Sequence, residues 1–357
     1  MKQVYLSLLL AGLTAAPALG QKTTVNAFPK PLAPVANAGM KAPQFHLPSA
    51  IDDKKKGITM YAGQRLDQSK HRSWVKWQTG DSFNFTKIYE YIHHDKYNED
   101  QQRGIYMGAY DSSNDTYYAF FNMHYTFGDM PMALAKVDML TGDTTNVFQF
   151  ADLAEPDVEQ TAWYNGRYKY AMAYDPVKEV MYALGADYEN GDPNLGYTVL
   201  YEVNLNATTL NDLFTKVKDM DGLYWDFCFD TQGNAWFAQK YGGSDGIVKG
   251  TNLVKMDGDF NRISEVKMQS EWGEDINSIY FSTMYFDNST GDLYYLPCSD
   301  YGSTSLYKVN PTTGISQSVA WFNQGNHFTG LYIPYLTADN GAAPARVSGL
   351  DAQADLN

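Results

Sequence analysis

The sequence predicts an all-β fold: a five-bladed β-propeller of four-stranded antiparallel blades, closed by a C-terminal strand that completes the N-terminal blade. Three observations predict it. First, Ile279 to Phe322 (IYFSTMYFDNSTGDLYYLPCSDYGSTSLYKVNPTTGISQSVAWF) reads as four short strands separated by turn residues, which is one blade. Second, the same pattern recurs upstream at near-constant period. Apolar strands end at Tyr110-Asp111, Tyr174-Asp175, Phe229-Asp230 and Phe286-Asp287, with the aspartates 64, 55 and 57 residues apart. Third, a lone apolar strand, His327 to Tyr335 (HFTGLYIPY), follows the last copy, while the first copy lacks an opening strand. If the late strand fills the early vacancy, the ring closes and leaves no open sheet edge.

Each segment follows in order. Lys2, the apolar run Tyr5–Ala16 and the small residues Ala18 and Gly20 read as a signal peptide over residues 1–20, too short to span a bilayer. Residues 21–56 carry Pro29, Pro31, Pro34, Pro43 and Pro48 with little apolar periodicity and read as a linker. The propeller occupies 57–336. Gly57–Leu66, Ser73–Gly80 and Asn84–Ile92 alternate apolar and polar residues and match the second, third and fourth strands of a blade. The blades are then 57–100 with 327–335, 104–153, 168–218, 222–270 and 277–322, with 154–167 as an inter-blade insertion.

Within each copy the second strand is marked by Tyr117-Tyr118, Met181-Tyr182, Ala235-Trp236 or Leu293-Tyr294. The third ends at Asp138, Asn204, Asp257 or Asn310. An Asp or Asn at a strand end hydrogen-bonds its own backbone and shapes the turn, and a following Gly supplies positive φ. The repeated acids are therefore read as turn formers, not as catalytic groups.

Composition limits the function. Aromatic residues make up 15% of the chain, which suits strands. The net charge of −14 and the lack of a basic stripe exclude nucleic acid as a partner. No apolar run beyond the signal peptide is long enough for a membrane helix. Export permits a disulfide between the two cysteines. The repeat alignment, however, puts Cys228 near the end of a first strand and Cys298 on a second strand, about 10 Å apart in height. A disulfide needs Cα atoms within about 7 Å, so both are expected to be buried thiols.

Residues 337–357 are small and polar. Within them Pro344-Ala345-Arg346-Val347-Ser348-Gly349-Leu350 reads as the opening of a fibronectin type III- or Ig-like domain. With the signal peptide and the Tyr-Asp…Thr-Gly…Leu-Tyr…Lys-Val-Asp repeats, the chain resembles the N-terminal propeller of large secreted or surface proteins of Bacteroidetes that carry such domains downstream. The resemblance implies a secreted or cell-surface location and carries no catalytic signature.

Candidate site residues come from aligning the first strands on their final aspartates. Five positions before the aspartate stand Tyr106, Tyr170, Trp225 and Ser282. An aromatic ring at the mouth of a central channel can stack on sugars or peptides; the competing role is packing between blades. Asp226, four positions before its aspartate, is the one acid inside a first strand; Met107, Ala171 and Thr283 hold that place elsewhere. It is a candidate catalytic acid, sugar ligand or Ca²⁺ ligand, but a glycosidase needs a second carboxylate about 5 to 10 Å away, and the matching strands supply none. Asp187, Glu189 and Asp192 form a weak Ca²⁺ candidate in loop 187–194, and His93-His94 lacks metal-ligand spacing. No cofactor is expected. These readings point to an exported, non-catalytic recognition module that binds a glycan or an extracellular protein through one face. The alternatives are a glycan-active hydrolase or lyase centred on Asp226 and a structural spacer.

Overall fold

The computed structural model describes residues 58–66, 73–79, 84–91, 93–94, 100–101, 103–125, 128–149, 169–186, 198–207, 210–242, 248–278, 282–287, 290–297, 304–322 and 326–333. The expectations for 1–20, 21–56, 154–167, 187–194, Cys298 and 337–357 lie outside these residues.

The strands follow the sequence reading closely. β1 (Thr59–Leu66), β2 (Ser73–Gln78) and β3 (Thr86–Glu90) form three strands of blade 1. A two-strand ladder follows, β4 (His93–His94) with β5 (Asp100–Gln101). Blade 2 is β6 (Arg103–Asp111), β7 (Thr116–Tyr125), β8 (Gly128–Val137) and β9 (Thr144–Gln149). Blade 3 is β10 (Lys169–Asp175), β11 (Val180–Ala186), β12 (Thr198–Val203) and, after the single turn α1 (Leu210–Leu213), β13 (Phe214–Asp219). Blade 4 is β14 (Tyr224–Phe229), β15 (Ala235–Gly242), β16 (Val248–Met256) and β17 (Arg262–Lys267). The short strand β18 (Gln269–Ser270) leads to blade 5: β19 (Ser282–Asp287), β20 (Asp292–Pro297), β21 (Thr304–Val309) and β22 (Ile315–Phe322). Finally β23 (His327–Tyr332) pairs antiparallel with β1, placing Tyr332 opposite Tyr61 and Phe328 opposite Gln64.

The sheet order in blade 1 is β23-β1-β2-β3, so the last strand is the innermost strand of the first blade. The innermost strands touch in the cyclic order β6, β10, β14, β19, β23 and back to β6. The ring is closed, as the two complementary deficits in the sequence predict. Three pieces were not legible: the β4–β5 ladder, α1, and β18, which joins the outer edge of blade 5 in parallel to β22.

Burial explains the choice of residues. Near the axis strands crowd on both faces, so β10 is buried at every position, and the inner strands carry small residues such as Gly108, Ala109, Ala171 and Ala173. The outermost strands face water, and β13 (FTKVKD) and β17 (RISEVK) accordingly carry charged or hydroxyl side chains at four of six positions each. The core lies in the seams between blades. Tyr61, Trp74, Ile105, Tyr117 and Tyr332 fill the seam of blades 1 and 2. Trp236, Met284, Phe286 and Tyr295 fill that of blades 4 and 5, and Trp77, Leu306, Phe322 and Phe328 that of blades 5 and 1. One continuous cluster runs through blades 2, 3 and 4. Aromatic rings stack and tilt across these seams at centroid distances such as 4.5 Å for Tyr110–Tyr332 and 4.9 Å for Trp74–Tyr117.

Among the first-strand turn acids, Asp111, Asp175 and Asp230 make the expected bonds. Asp111 Oδ1 accepts from the amide (2.9 Å) and hydroxyl (2.8 Å) of Ser113, and Asp175 Oδ1 from the amides of Val177 (2.8 Å) and Lys178 (3.1 Å). Asp230 accepts from the amides of Gln232 and Asn234, both at 2.9 Å, and from the Trp236 indole at 3.0 Å. Asp138, Asn204, Asp257 and Asn310 repeat the motif at the ends of third strands. Gly314, at φ +74°, lies so close to the Lys267 carbonyl that a side chain there would collide with it. Gly330 does the same in the closing strand: at φ +59° it faces the Tyr117 hydroxyl, which donates to the Gly330 carbonyl at 2.6 Å.

Candidate functional site: the central channel and the mouth at blade 4

The five inner strands wall a small central cavity that opens to solvent. Its lining runs from the level of Asp226, Thr283 and Thr329 to Ser112 and Pro176, just past the turn aspartates of blades 2 and 3. Tyr110, Tyr174 and Tyr285 contribute its aromatic wall, and Cys228 is also in it. Cys228 is a free, buried thiol, and burial pushes its pKa well up.

Asp226 is the one carboxylate among the described lining residues. It is buried, and its Oδ2 accepts from the Met284 amide of the next blade at 2.6 Å. The Phe227 amide and the Thr283 hydroxyl also bond to it. Thr283 Oγ1 in turn accepts from the Leu331 amide at 2.8 Å. The carboxyl therefore sits at the hub of a polar clasp joining the inner strands of blades 4, 5 and 1. Burial holds its pKa well above the usual carboxylate range, outweighing these hydrogen bonds. Burial thus favours the protonated form of Asp226, which faces the cavity.

Other seams carry comparable clasps. Thr329 Oγ1 donates to the Tyr106 carbonyl at 3.0 Å, joining blades 1 and 2. The Tyr170 hydroxyl donates to the Tyr224 carbonyl at 2.8 Å, joining blades 3 and 4. Tyr174 faces Asp111 and Ser113 of blade 2, and its hydroxyl pKa is pushed up to about 12, chiefly by burial.

The aligned aromatic positions share a backbone feature that the sequence did not reveal. Tyr106, Tyr170 and Trp225 each fall where the register between the first and second strands of the blade shifts: between Ile105 and Met107, between Lys169 and Ala171, and between Tyr224 and Asp226. Each is the extra residue of a β-bulge, which twists the strand and re-aims a side chain. Ser282, in the same alignment, lies in a regular ladder. Tyr106 is fully buried and Tyr170 nearly so, whereas Trp225 is half-buried. None of the three lines the cavity. Tyr170 and Trp225 meet edge to face at 6.4 Å.

The start of blade 4 carries a polar array that the sequence reading missed. The Lys240 ammonium lies 4.6 Å from the Trp225 ring centroid, and burial lowers its pKa. The Arg262 guanidinium bonds Asp221 Oδ1 at 3.1 Å and the Tyr224 hydroxyl at 2.9 Å, and pairs with Glu265. Gln239 reaches the Asp221 carbonyl at 3.3 Å. These residues sit on β14, β15, β17 and a loop, at no fixed offset from the repeated aspartates, so no periodicity pointed to them. Among the described residues no group of three or more His, Cys, Asp or Glu side chains is placed to hold a metal ion, and no helix is long and apolar enough to cross a membrane.

No family model matches the chain, and no curated protein sequence matches it. Solved structures match at a distance. TolB from Acinetobacter baumannii is 12% identical over 72% of this chain and 52% of its own, with a TM-score of 0.36. A GH43_1 enzyme from Xanthomonas citri complexed with xylose is 10% identical over 60% of this chain and 74% of its own, at 0.41. The extracellular domain of a putative hybrid two-component system from B. thetaiotaomicron is 9% identical over 76% of this chain and 29% of its own, at 0.31. The chain thus spans about half the length of the TolB it matches. Likenesses this distant concern the course of the chain and not its chemistry.

Proposed function

We propose that the protein is an exported, non-catalytic recognition module that binds a glycan or an extracellular protein through one face of the propeller. The observation that carries this reading is Trp225. It is a half-buried indole at a bulge, with the Lys240 ammonium over its ring and Tyr170 edge to face with it, on the blade whose opening also carries the Arg262, Asp221 and Gln239 cluster. A rigid aromatic anchor with a hydrogen-bonding rim is the usual composition of a recognition surface. The signal peptide, the linker and a downstream fibronectin- or Ig-like domain belong to the same reading, in which the disc is one module of a surface protein. Glycan and protein arrays test it. Trp225→Ala is expected to abolish the captured signal while leaving the melting temperature within about 3 °C, since roughly 1 kcal/mol shifts the melting temperature of a large domain by only a few degrees. An unchanged array profile overturns the reading.

One observation favours a second reading, a glycan-active hydrolase or lyase: Asp226 is a buried carboxyl that lines the cavity, and burial raises its pKa in the direction a general acid needs. Turnover of plant or host polysaccharides that vanishes in Asp226→Asn would favour chemistry over recognition.

A further inference from the structure

We infer that the protein carries a second, lateral ligand site at the rim of the disc, in which Trp272 is a stacking platform for a neutral saccharide. Trp272 is 77% exposed, the most exposed of the large apolar side chains among the described residues, and it stands far from Trp225 in the sequence and on a different element. It lies on the connection from β17 to β19, where β18 runs alongside β22, at the outer seam of blades 4 and 5. The connection is a tight hairpin. The Ser270 amide donates to the Glu274 carbonyl at 2.8 Å, the Gly273 amide to the Ser270 carbonyl at 2.9 Å, and Gly273 takes φ +83°. Its base is clamped by Asp275, whose carboxylate accepts from the Tyr241 hydroxyl (2.7 Å) and the Gln269 amide (2.8 Å) and pairs with Lys267 Nζ (2.7 Å). These donors hold the Asp275 pKa down at about 2, so the clamp stays intact at neutral pH. The indole is therefore presented on a stiff support, and little ordering cost remains when a ligand covers it.

The surroundings select the ligand. On the hairpin every neighbour of Trp272 is polar or glycine, and Glu271, Glu274 and Asp275 are all exposed. A protein hot spot is ringed by packed groups that exclude water, and this one is not. A sugar ring has the matching character: one face of C–H bonds that settles on the electron-rich indole face, and an edge of hydroxyls that exchange hydrogen bonds with the carboxylates, Gln269 and Lys267. Three acids against Lys267, on a chain of net charge −14, repel polyanions and anionic lipid. The ligand class is a neutral glycan.

The full chain tests this by calorimetric titration and tryptophan fluorescence with xylohexaose, cellohexaose and mannohexaose, with polygalacturonate as the charged comparison. Binding of at least one neutral oligosaccharide is expected. Trp272→Ala should weaken it at least tenfold with an unchanged melting temperature, Trp272→Tyr should restore much of it, and Trp225→Ala should leave it intact. The last arm separates this site from the face proposed above, since each can fail without the other. The inference is overturned if none of the neutral sugars binds, if Trp272→Ala binds as tightly as the parent, if polygalacturonate binds as well as the neutral sugars, or if Trp272 proves necessary only for capture of a protein.

Discussion

At the scale of single residues, Asp226 is held by geometry that opposes its charge. Its neighbours are backbone amides and a threonine hydroxyl, and burial dominates. The sign of the consequence follows. Burial raises the native pKa above that of an unfolded aspartate, about 4. Between those two values the folded chain keeps a proton that the unfolded chain releases, so stability is present at low pH and falls as pH rises through that window. Asp226→Asn removes the titrating group and keeps a neutral acceptor for the Met284 amide. Chemical denaturation from pH 4 upward is expected to show a shallower loss of stability in the variant than in the parent. Identical slopes would mean that the carboxyl is ionised in the native state. Sequence alone singled out Asp226, because an acid inside an otherwise apolar first strand breaks the pattern. It did not reveal the bond to the neighbouring blade, because residues 226 and 284 meet only once the ring is built.

At the scale of elements, the repeated strand-end Asp or Asn sets turns in blades 2 to 5. Asp230 shows its reach: the carboxylate gathers two backbone amides, the Asn234 side chain and the Trp236 indole. Asp230→Ala leaves the largely buried indole N–H and the turn amides short of their acceptor, at a cost of about 1–3 kcal/mol. Urea unfolding should show a lower midpoint with an unchanged slope, and an unchanged midpoint would contradict the role assigned to it. This level was legible because turn chemistry is local, and Asp111, Asp175 and Asp230 announce it within a few residues. The bulges at Tyr106, Tyr170 and Trp225 were visible only as an aromatic coincidence. A bulge is a mismatch between two strands, and one strand's sequence does not contain it. For the same reason the three aromatics looked equivalent in alignment, although two are buried in the structure and only Trp225 reaches partly into solvent.

At the scale of the whole molecule, closure is what holds the blades together. The late strand brings Phe328, Leu331, Tyr332 and Ile333 into buried positions against blades 1, 2 and 5. At about 1.5–3 kcal/mol per large apolar side chain, their burial is comparable to the entire stability of an ordinary domain, about 5–15 kcal/mol. Thr329, Gly330 and Leu331 add hydrogen bonds to Tyr106, Tyr117 and Thr283. The ring was legible from two deficits that cancel, a missing first strand and an unpartnered last one. The sites were less so, because Lys240, Arg262 and the Asp275 clamp are assembled from elements that no period relates.

The most direct measurement is the thermal unfolding of two shortened chains, one ending at Leu336 and one at Asn326. The first keeps β23 and the second lacks it. With closure as described, the chain ending at Leu336 melts cooperatively, whereas the chain ending at Asn326 loses more than about 10 °C or its single transition altogether, as expected when several kcal/mol of burial are removed and the inner edge of blade 1 is opened. Equal melting temperatures and equal cooperativity in the two chains would contradict it.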